Sequence, residues 1–215
     1  MKIEAICFDM DGTLIRYPDS VRYLCSLNGN SKSLEGIEKL ESDGIISWID
    51  ADYKKSRLIK GLSVEEVEDN FKRNIKIIQN LDRVSMYLRE REIKQVLITA
   101  GPIQVAEILS TQFSFNGVYG SLYEVQARKF TGRIISHLGS ENKLSCLREF
   151  CLNNNIALDH CVAIGDGESD IGIFEKCGRS IAINYSDAIK GKATEQIITD
   201  DLSDIISILE YWLSE

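Results

Sequence analysis

The chain has 215 residues, 44% of them hydrophobic and 27% charged, with a formal net charge of −8 and a pI near 5.0. That length suits one core domain plus a small insertion, and the negative average field repels a phosphate-rich polymer, so no nucleic-acid partner is expected. No apolar run reaches the roughly 18 residues of a membrane span, and the N-terminus lacks a signal peptide's charged-then-apolar layout, so a cytoplasmic protein with no membrane partner is expected.

The first element runs Ile3-Glu4-Ala5-Ile6-Cys7-Phe8 and delivers Asp9-Met10-Asp11-Gly12-Thr13-Leu14. In extended chain, residues two apart face the same way, so Asp9 and Asp11 crowd together at the strand's carboxyl end. Such crowding is costly unless a cation or a proton relieves it. The pattern suits a metal ion and acid–base chemistry. The blander alternative is an acidic turn whose carboxylates cap backbone donors.

Residues 16–82 carry helical patterning, with turns at Asn28-Gly29-Asn30 and Asp43-Gly44. Ser63 is placed as an N-cap, with Glu66 completing a capping box. Val64, Val67, Phe71, Ile75 and Ile78 then form one apolar stripe, which predicts helix–helix packing. Trp48 and Trp212 are expected to be packing residues.

From residue 83 helices alternate with short apolar strands. A helix through Val84 and Leu88 precedes strand Lys94–Ile98, which leads into Thr99-Ala100-Gly101 and a helix through Val105 and Leu109. Tyr123–Ala127 and Lys129–Ile135 predict a hairpin, and Glu141–Asn154 a helix. Strand Cys161–Ile164, the acidic loop Gly165-Asp166-Gly167-Glu168-Ser169-Asp170, helix Ser169–Lys176, strands Ser180–Ile183 and Gln196–Ile198, and helix Leu202–Leu213 complete the chain. This alternation predicts an α/β fold: a doubly wound, Rossmann-like parallel sheet covered on both faces. Ligands of such sheets sit beyond the carboxyl ends of the strands. The three polar turns, at Asp9/Asp11, at Thr99 and at Asp166/Asp170, all fall there.

The six cysteines form no C-x-x-C pair, and neither His137 nor His160 has zinc-ligand spacing to one. They are expected to be buried free thiols in a reducing compartment. Each histidine is expected to be a surface or loop residue.

Phosphate-ester hydrolysis needs charge neutralisation, an aligned nucleophile and a proton for the departing alkoxide. Asp9 and Asp166 can give carboxylates to Mg2+, and Thr99 with the Ala100–Gly101 turn hydrogen bonds to phosphoryl oxygens. Lys143 taken alone reads as a solvated lysine.

In this order, the segments Asp9–Thr13, Val96–Gly101, Lys143 and Gly165–Phe174 resemble the haloacid dehalogenase-like hydrolase superfamily, most nearly its phosphoserine-phosphatase-like branch. Phe130-Thr131-Gly132-Arg133-Ile134 is similar to that branch's Leu-Thr-Gly-Arg hairpin. The resemblance covers residues 1–15 and about 83–200. It implies a phosphatase core of residues 1–15 and 83–215, with residues 16–82 as a helical cap. It further implies Asp9 as nucleophile forming an aspartyl-phosphate, and Asp11 as general acid and then base. The backbone carbonyl of Asp11 would join Asp9 and Asp166 on Mg2+, with Asp170 orienting metal-bound water and Lys143 setting a fixed charge against the phosphoryl oxygens. The dehalogenase branch lacks an acid where Asp11 stands, which favours phosphoryl transfer.

The resemblance thus implies a phosphomonoesterase acting on a small-molecule phosphomonoester. A phosphotransferase or mutase using the same intermediate, and a non-catalytic phospho-ligand binder, remain the alternatives; monomer and homodimer are both open. Two departures bear on substrate. Pro18, followed by Asp19, stands where the branch typically has a glutamate for the substrate ammonium. Thr99-Ala100-Gly101-Pro102 replaces a hydroxyl residue followed by two glycines. Phosphoserine is therefore not expected to be the preferred substrate.

Overall fold

The computed structural model describes residues 2–215, and their side chains except those of Ser140 and Glu141. Strand β1 (Ala5–Phe8) is followed by a short strand β2 (Ile15–Tyr17) and the helices α1 (Ser20–Leu27), α2 (Ser31–Ser42), α3 (Trp48–Lys55) and α4 (Val64–Asn74). Strand β3 (Lys76–Ile77) returns the chain to α5 (Leu81–Glu90), β4 (Lys94–Pro102), α6 (Ile103–Phe113) and the strands β5 (Gly117–Gln126) and β6 (Lys129–Ser136). Then come α7 (Ser140–Asn154), β7 (Cys161–Gly165), α8 (Ile171–Phe174), β8 (Arg179–Ile183), β9 (Glu195–Ile197) and α9 (Asp204–Ser214).

Seven strands form one sheet in the order β6-β5-β4-β1-β7-β8-β9. All neighbours are parallel except β5 and β6. Side-chain alternation splits the core between the two faces. Ile6 and Phe8 join Leu97, Ile164, Leu109, Leu209 and Trp212 on one side. Ala5 and Cys7 join Val96, Ala163, Leu147, Phe150 and Phe174 on the other. Such two-sided burial is what strands without a polar face require. All six cysteines are free, and among the described residues no helix is long and apolar enough to cross a membrane.

The chain runs outward from β1 to β4 and β5, then returns to the other side of β1 at β7. This reversal opens a crevice at the carboxyl ends of β1, β4 and β7, where a doubly wound sheet binds its ligands. Helices α1–α4 occupy residues 20–74 and their apolar residues Tyr23, Leu24, Leu34 and Phe71 are continuous with the sheet's core. Ser63 caps α4 as expected, its side chain accepting from the Glu66 N–H. Val67 and Phe71 are buried, but the helix ends at Asn74, so Ile75 and Ile78 pack from the segment beyond it.

Residues 61–64 pair with β6 through the backbone. The Gly61 N–H donates to the Phe130 carbonyl at 2.8 Å, the Phe130 N–H to Leu62 at 2.9 Å, and the Val64 N–H to Arg128 at 2.9 Å. Gly132, with φ +84°, allows the approach: a Cβ there would stand 3.1 Å from Lys60 Cβ and 3.3 Å from Arg57 Cα.

Three features differ from expectation. The antiparallel β2–β3 ribbon has two and three residues per strand, too few to give a period. Strands β4 and β5 are longer, because β4 continues through the polar turn to Pro102 and the first part of β5 pairs with it. The helix expected over 169–176 shrinks to a 3-10 turn at Glu168–Asp170 and the single turn α8. The Asp170 carboxylate accepts the Asp166 and Gly167 N–H groups at 3.2 Å each, and this tightens the loop.

Candidate active site

Asp9 leaves the end of β1, with its backbone N–H on the Ile164 carbonyl of β7 at 2.9 Å. Its Oδ1 accepts from Lys143 Nζ at 2.6 Å. Lys143 lies on the first turns of α7 and is fully buried. Its ammonium also donates to Asp170 Oδ1 at 2.8 Å. Asp166 follows β7, and Thr13 donates its hydroxyl to Asp166 Oδ1 at 3.3 Å. Carboxylate oxygens of Asp9, Asp166 and Asp170 all lie within 4.8 Å of one another.

One lysine thus faces three crowded carboxylates. Burial, opposed by Lys143, pushes Asp9 up to about 6, with Asp170 adding to the rise. Burial, then the charges of Asp9 and Asp170, pushes Asp166 up to about 8. Burial works against the Lys143 charge, but Asp170 and Asp9 outweigh it and hold the ammonium above the usual lysine range. The excess negative charge and all-oxygen donor set fit a hard divalent cation.

Gly12 is required beside this cluster. Its φ is +84°, and a Cβ would lie 2.1 Å from Asp166 Oδ2.

Asp11 points elsewhere, toward α1. Its Oδ1 accepts the Ser20 backbone N–H at 2.7 Å and its Oδ2 the Ser20 hydroxyl. Burial, then the nearby Asp19 charge, pushes Asp11 up to about 7, against the pull of the Ser20 hydrogen bonds. Thr99, at 1% exposure, accepts the Gly101 N–H on its hydroxyl oxygen at 2.9 Å. Two of the groups expected to meet phosphoryl oxygens therefore pair with each other, while the Thr99 hydroxyl hydrogen stays available.

A cavity of about 470 Å³ opens above Asp11, lined by Ala100 and Gly101 on the sheet side and by Asp19, Glu38, Trp48, Asp52 and Lys55 on the helical side. Trp48, expected as a packing residue, is thus a wall of this cavity. Its ring stands 5.0 Å from that of His137, and Tyr53 is 5.9 Å from His137 on centroids. His137 is a loop residue, between β6 and α7, but its side chain turns inward: it is 7% exposed and Nε2 lies 2.9 Å from Asp52 Oδ2. Arg128 and Arg133 remain exposed on the hairpin and pair with Glu68 and Glu124.

All the expected residues converge on one crevice, in two groups: Asp9, Lys143, Asp166 and Asp170 beneath, and Asp11, Thr99, Ala100 and Gly101 facing α1. Sequence reasoning missed Ser20, Trp48, Asp52 and Lys55. Ser20 lies nine positions from its partner, and the helical residues carry no motif.

A mostly parallel sheet with this crevice and carboxylate cluster makes an α/β protein with its site at the strand ends. The chain belongs to the haloacid dehalogenase-like hydrolase family, whose model matches residues 6–175. Among curated relatives, the phosphoserine phosphatase of Methanocaldococcus jannaschii is 25% identical over 97% of this chain and 99% of its own length. Those of Archaeoglobus fulgidus and Saccharomyces cerevisiae are 26% and 23% identical over 95% of this chain. The chain spans only 59% and 66% of the length of those two relatives. A solved phospho-aspartyl intermediate analogue of phosphoserine phosphatase superposes with a TM-score of 0.83 at 25% identity, covering 97% of this chain and 99% of that one. A hydrolase of the same family from Salmonella enterica serovar Typhi shares the fold with a TM-score of 0.88 at 20% identity, covering 97% and 72%.

Proposed function

We propose that the protein is a phosphomonoesterase that hydrolyses a small phosphate ester through an aspartyl-phosphate on Asp9. The observation that carries this is the division of labour between the two aspartates. Asp9 is held by Lys143 among carboxylates, whereas Asp11 faces the cavity with a proton affinity near neutrality. The relatives named phosphoserine phosphatase support the reaction class.

The Asp9 oxygen that Lys143 does not hold attacks phosphorus, and the bond from phosphorus to the alcohol oxygen breaks. Protonated Asp11 gives its proton to the departing oxygen. Water then attacks phosphorus, Asp11 takes its proton, and Asp9 is released with inorganic phosphate. Lys143 keeps Asp9 ionised and adds positive charge beside the phosphoryl group, while the Thr99 hydroxyl donates a hydrogen bond. Mg2+, held by Asp9, Asp166 and the Asp11 carbonyl with Asp170 beside them, would neutralise phosphoryl oxygens.

Residues 16–82 act in this reading as a helical cap over the core of residues 1–15 and 83–215, supplying the cavity's upper wall. The test compares an aryl phosphate with an alkyl phosphate, with Mg2+ and with chelator. Turnover is expected only with the metal, and Asp11→Asn is expected to slow the alkyl ester about tenfold more than the aryl ester, whose leaving group needs less acid assistance. Full activity in chelator, or equal losses on both esters, would contradict it.

A further inference from the structure

The helical wall of the cavity is predominantly acidic. Asp19, Glu38 and Asp52 line it, Glu168 of the acidic loop after β7 lines the cavity from the core, and Lys55 is the one lining cation among the described residues. Lys55 is already engaged: Nζ lies 2.7 Å from Glu41 Oε2 and 3.8 Å from Asp52 Oδ1. Arg22, just outside the wall, is likewise spent on Glu38 at 2.6 Å and Asp19 at 3.4 Å. Five carboxylates thus meet two cations, and each cation has two acidic partners. A carboxylate on the ligand would find no free positive charge, and would be repelled.

A cation finds the opposite. The Trp48 indole lines the same cavity as Asp52, and an indole beside carboxylates is a favourable seat for an ammonium group. The rings of Trp48 and Tyr53 both pack against His137, which in turn contacts Asp52, so the aromatic wall is fixed in place. The Tyr123 hydroxyl, buried and without a hydrogen-bond partner, feels the charges of Asp52, Asp11 and Asp19. It is a spare polar group within electrostatic reach of this wall.

We propose that the leaving group is an amino alcohol: a positively charged amine with no carboxylate, seated against Trp48 and Asp52 while its phosphate meets Asp9. This rests on the phosphomonoesterase reading and narrows it, since phosphoserine carries the same amine plus the carboxylate that the wall disfavours. The cavity is of the size that encloses a small metabolite.

The experiment measures kcat/KM for O-phosphoethanolamine, phosphocholine, L-phosphoserine, glycerol phosphate and an aryl phosphate. At least one of the two amino-alcohol esters is expected to exceed both phosphoserine and glycerol phosphate by about tenfold or more. Asp52→Asn and Trp48→Ala are each expected to lower the ratio of that ester to glycerol phosphate about tenfold, mainly through KM. Glu41→Gln, which removes the nearer of the two acidic partners of Lys55 and leaves Asp52, is expected to shift the ratio of phosphoserine to the amine ester upward several-fold. Phosphoserine or glycerol phosphate equalling the amine esters, or ratios unmoved by these variants, would overturn the inference while aryl phosphate turnover upheld the phosphatase. No turnover of any ester would overturn both.

Discussion

Ser20 grips both oxygens of Asp11: its backbone N–H meets Oδ1 at 2.7 Å and its hydroxyl meets Oδ2. The first residue of α1 thereby sets the acidity of the group proposed to protonate the leaving alcohol. Both bonds favour the ionised carboxylate and hold down a pKa that burial and Asp19 push up to about 7. Removing the hydroxyl in Ser20→Ala is expected to raise it by about one further unit. The alkaline limb of the kcat/KM profile, where the protonated acid is lost, should move up correspondingly. A profile that only scales in height would remove Ser20 from this role.

Asp9→Asn is expected to reduce turnover by about 10⁴-fold or more, since the other carboxylate beyond β1, Asp11, is held by Ser20 and faces α1. The variant also removes a charge from a buried carboxylate cluster. Its melting temperature in chelator at pH 8 should therefore equal or exceed the parent's. Near-parental activity would exclude Asp9 as nucleophile.

Two glycines in the active-site loops should respond differently to one methyl. At Gly12 the φ of +84° and the 2.1 Å approach to Asp166 Oδ2 leave no room for a Cβ, whereas Gly167 has nothing within 4 Å of that position. Gly12→Ala is expected to displace Asp166 and raise the Mg2+ concentration for half-activity about tenfold or more, with about 1–3 kcal/mol lost in stability. Gly167→Ala should change either quantity little. Metal titrations and urea melts of the pair decide the matter.

Metal-free protein should become less stable as pH rises. Asp9, Asp11 and Asp166 are pushed up to about 6, 7 and 8, above the unfolded carboxylate value near 3.9. The native state therefore binds these protons more tightly than the unfolded chain. Their contribution is full below about pH 4 and is lost as pH climbs through about 6 to 8. A cation that binds the ionised carboxylates reverses the loss. The melting-temperature gain on adding Mg2+ should be at least about 5 °C larger at pH 8 than at pH 5. A gain independent of pH would count against a metal held by these groups.

Much of the fold and of the lower site could be read directly from residue order. Apolar strands ending in Asp9, Thr99 and Asp166 are local patterns, and a parallel sheet places their ends side by side. The upper wall could not be read this way. Ser20, Trp48, Asp52 and Lys55 acquire their meaning only when α1 and α3 pack over the sheet, and solvated helices carry the same residue types. Trp48 shows the difficulty: an indole at helical spacing reads as core, and only the packing of α3 beside His137 makes it part of a cavity.

The backbone pairing of residues 61–64 with β6 has a mechanical consequence. A lid hinged only at its two chain crossings could swing freely and melt by itself. Here a third attachment, made of main-chain bonds that only a proline at a donor position would delete, couples the helices to the outer hairpin. In the proposed phosphatase, admission of substrate then requires either small breathing at the rim or travel of the hairpin with the helices. Because Tyr23, Leu24 and Phe71 share their apolar cluster with the sheet, heating should give one calorimetric transition rather than two. Excision of residues 16–82 should leave an insoluble remnant rather than a stripped-down enzyme.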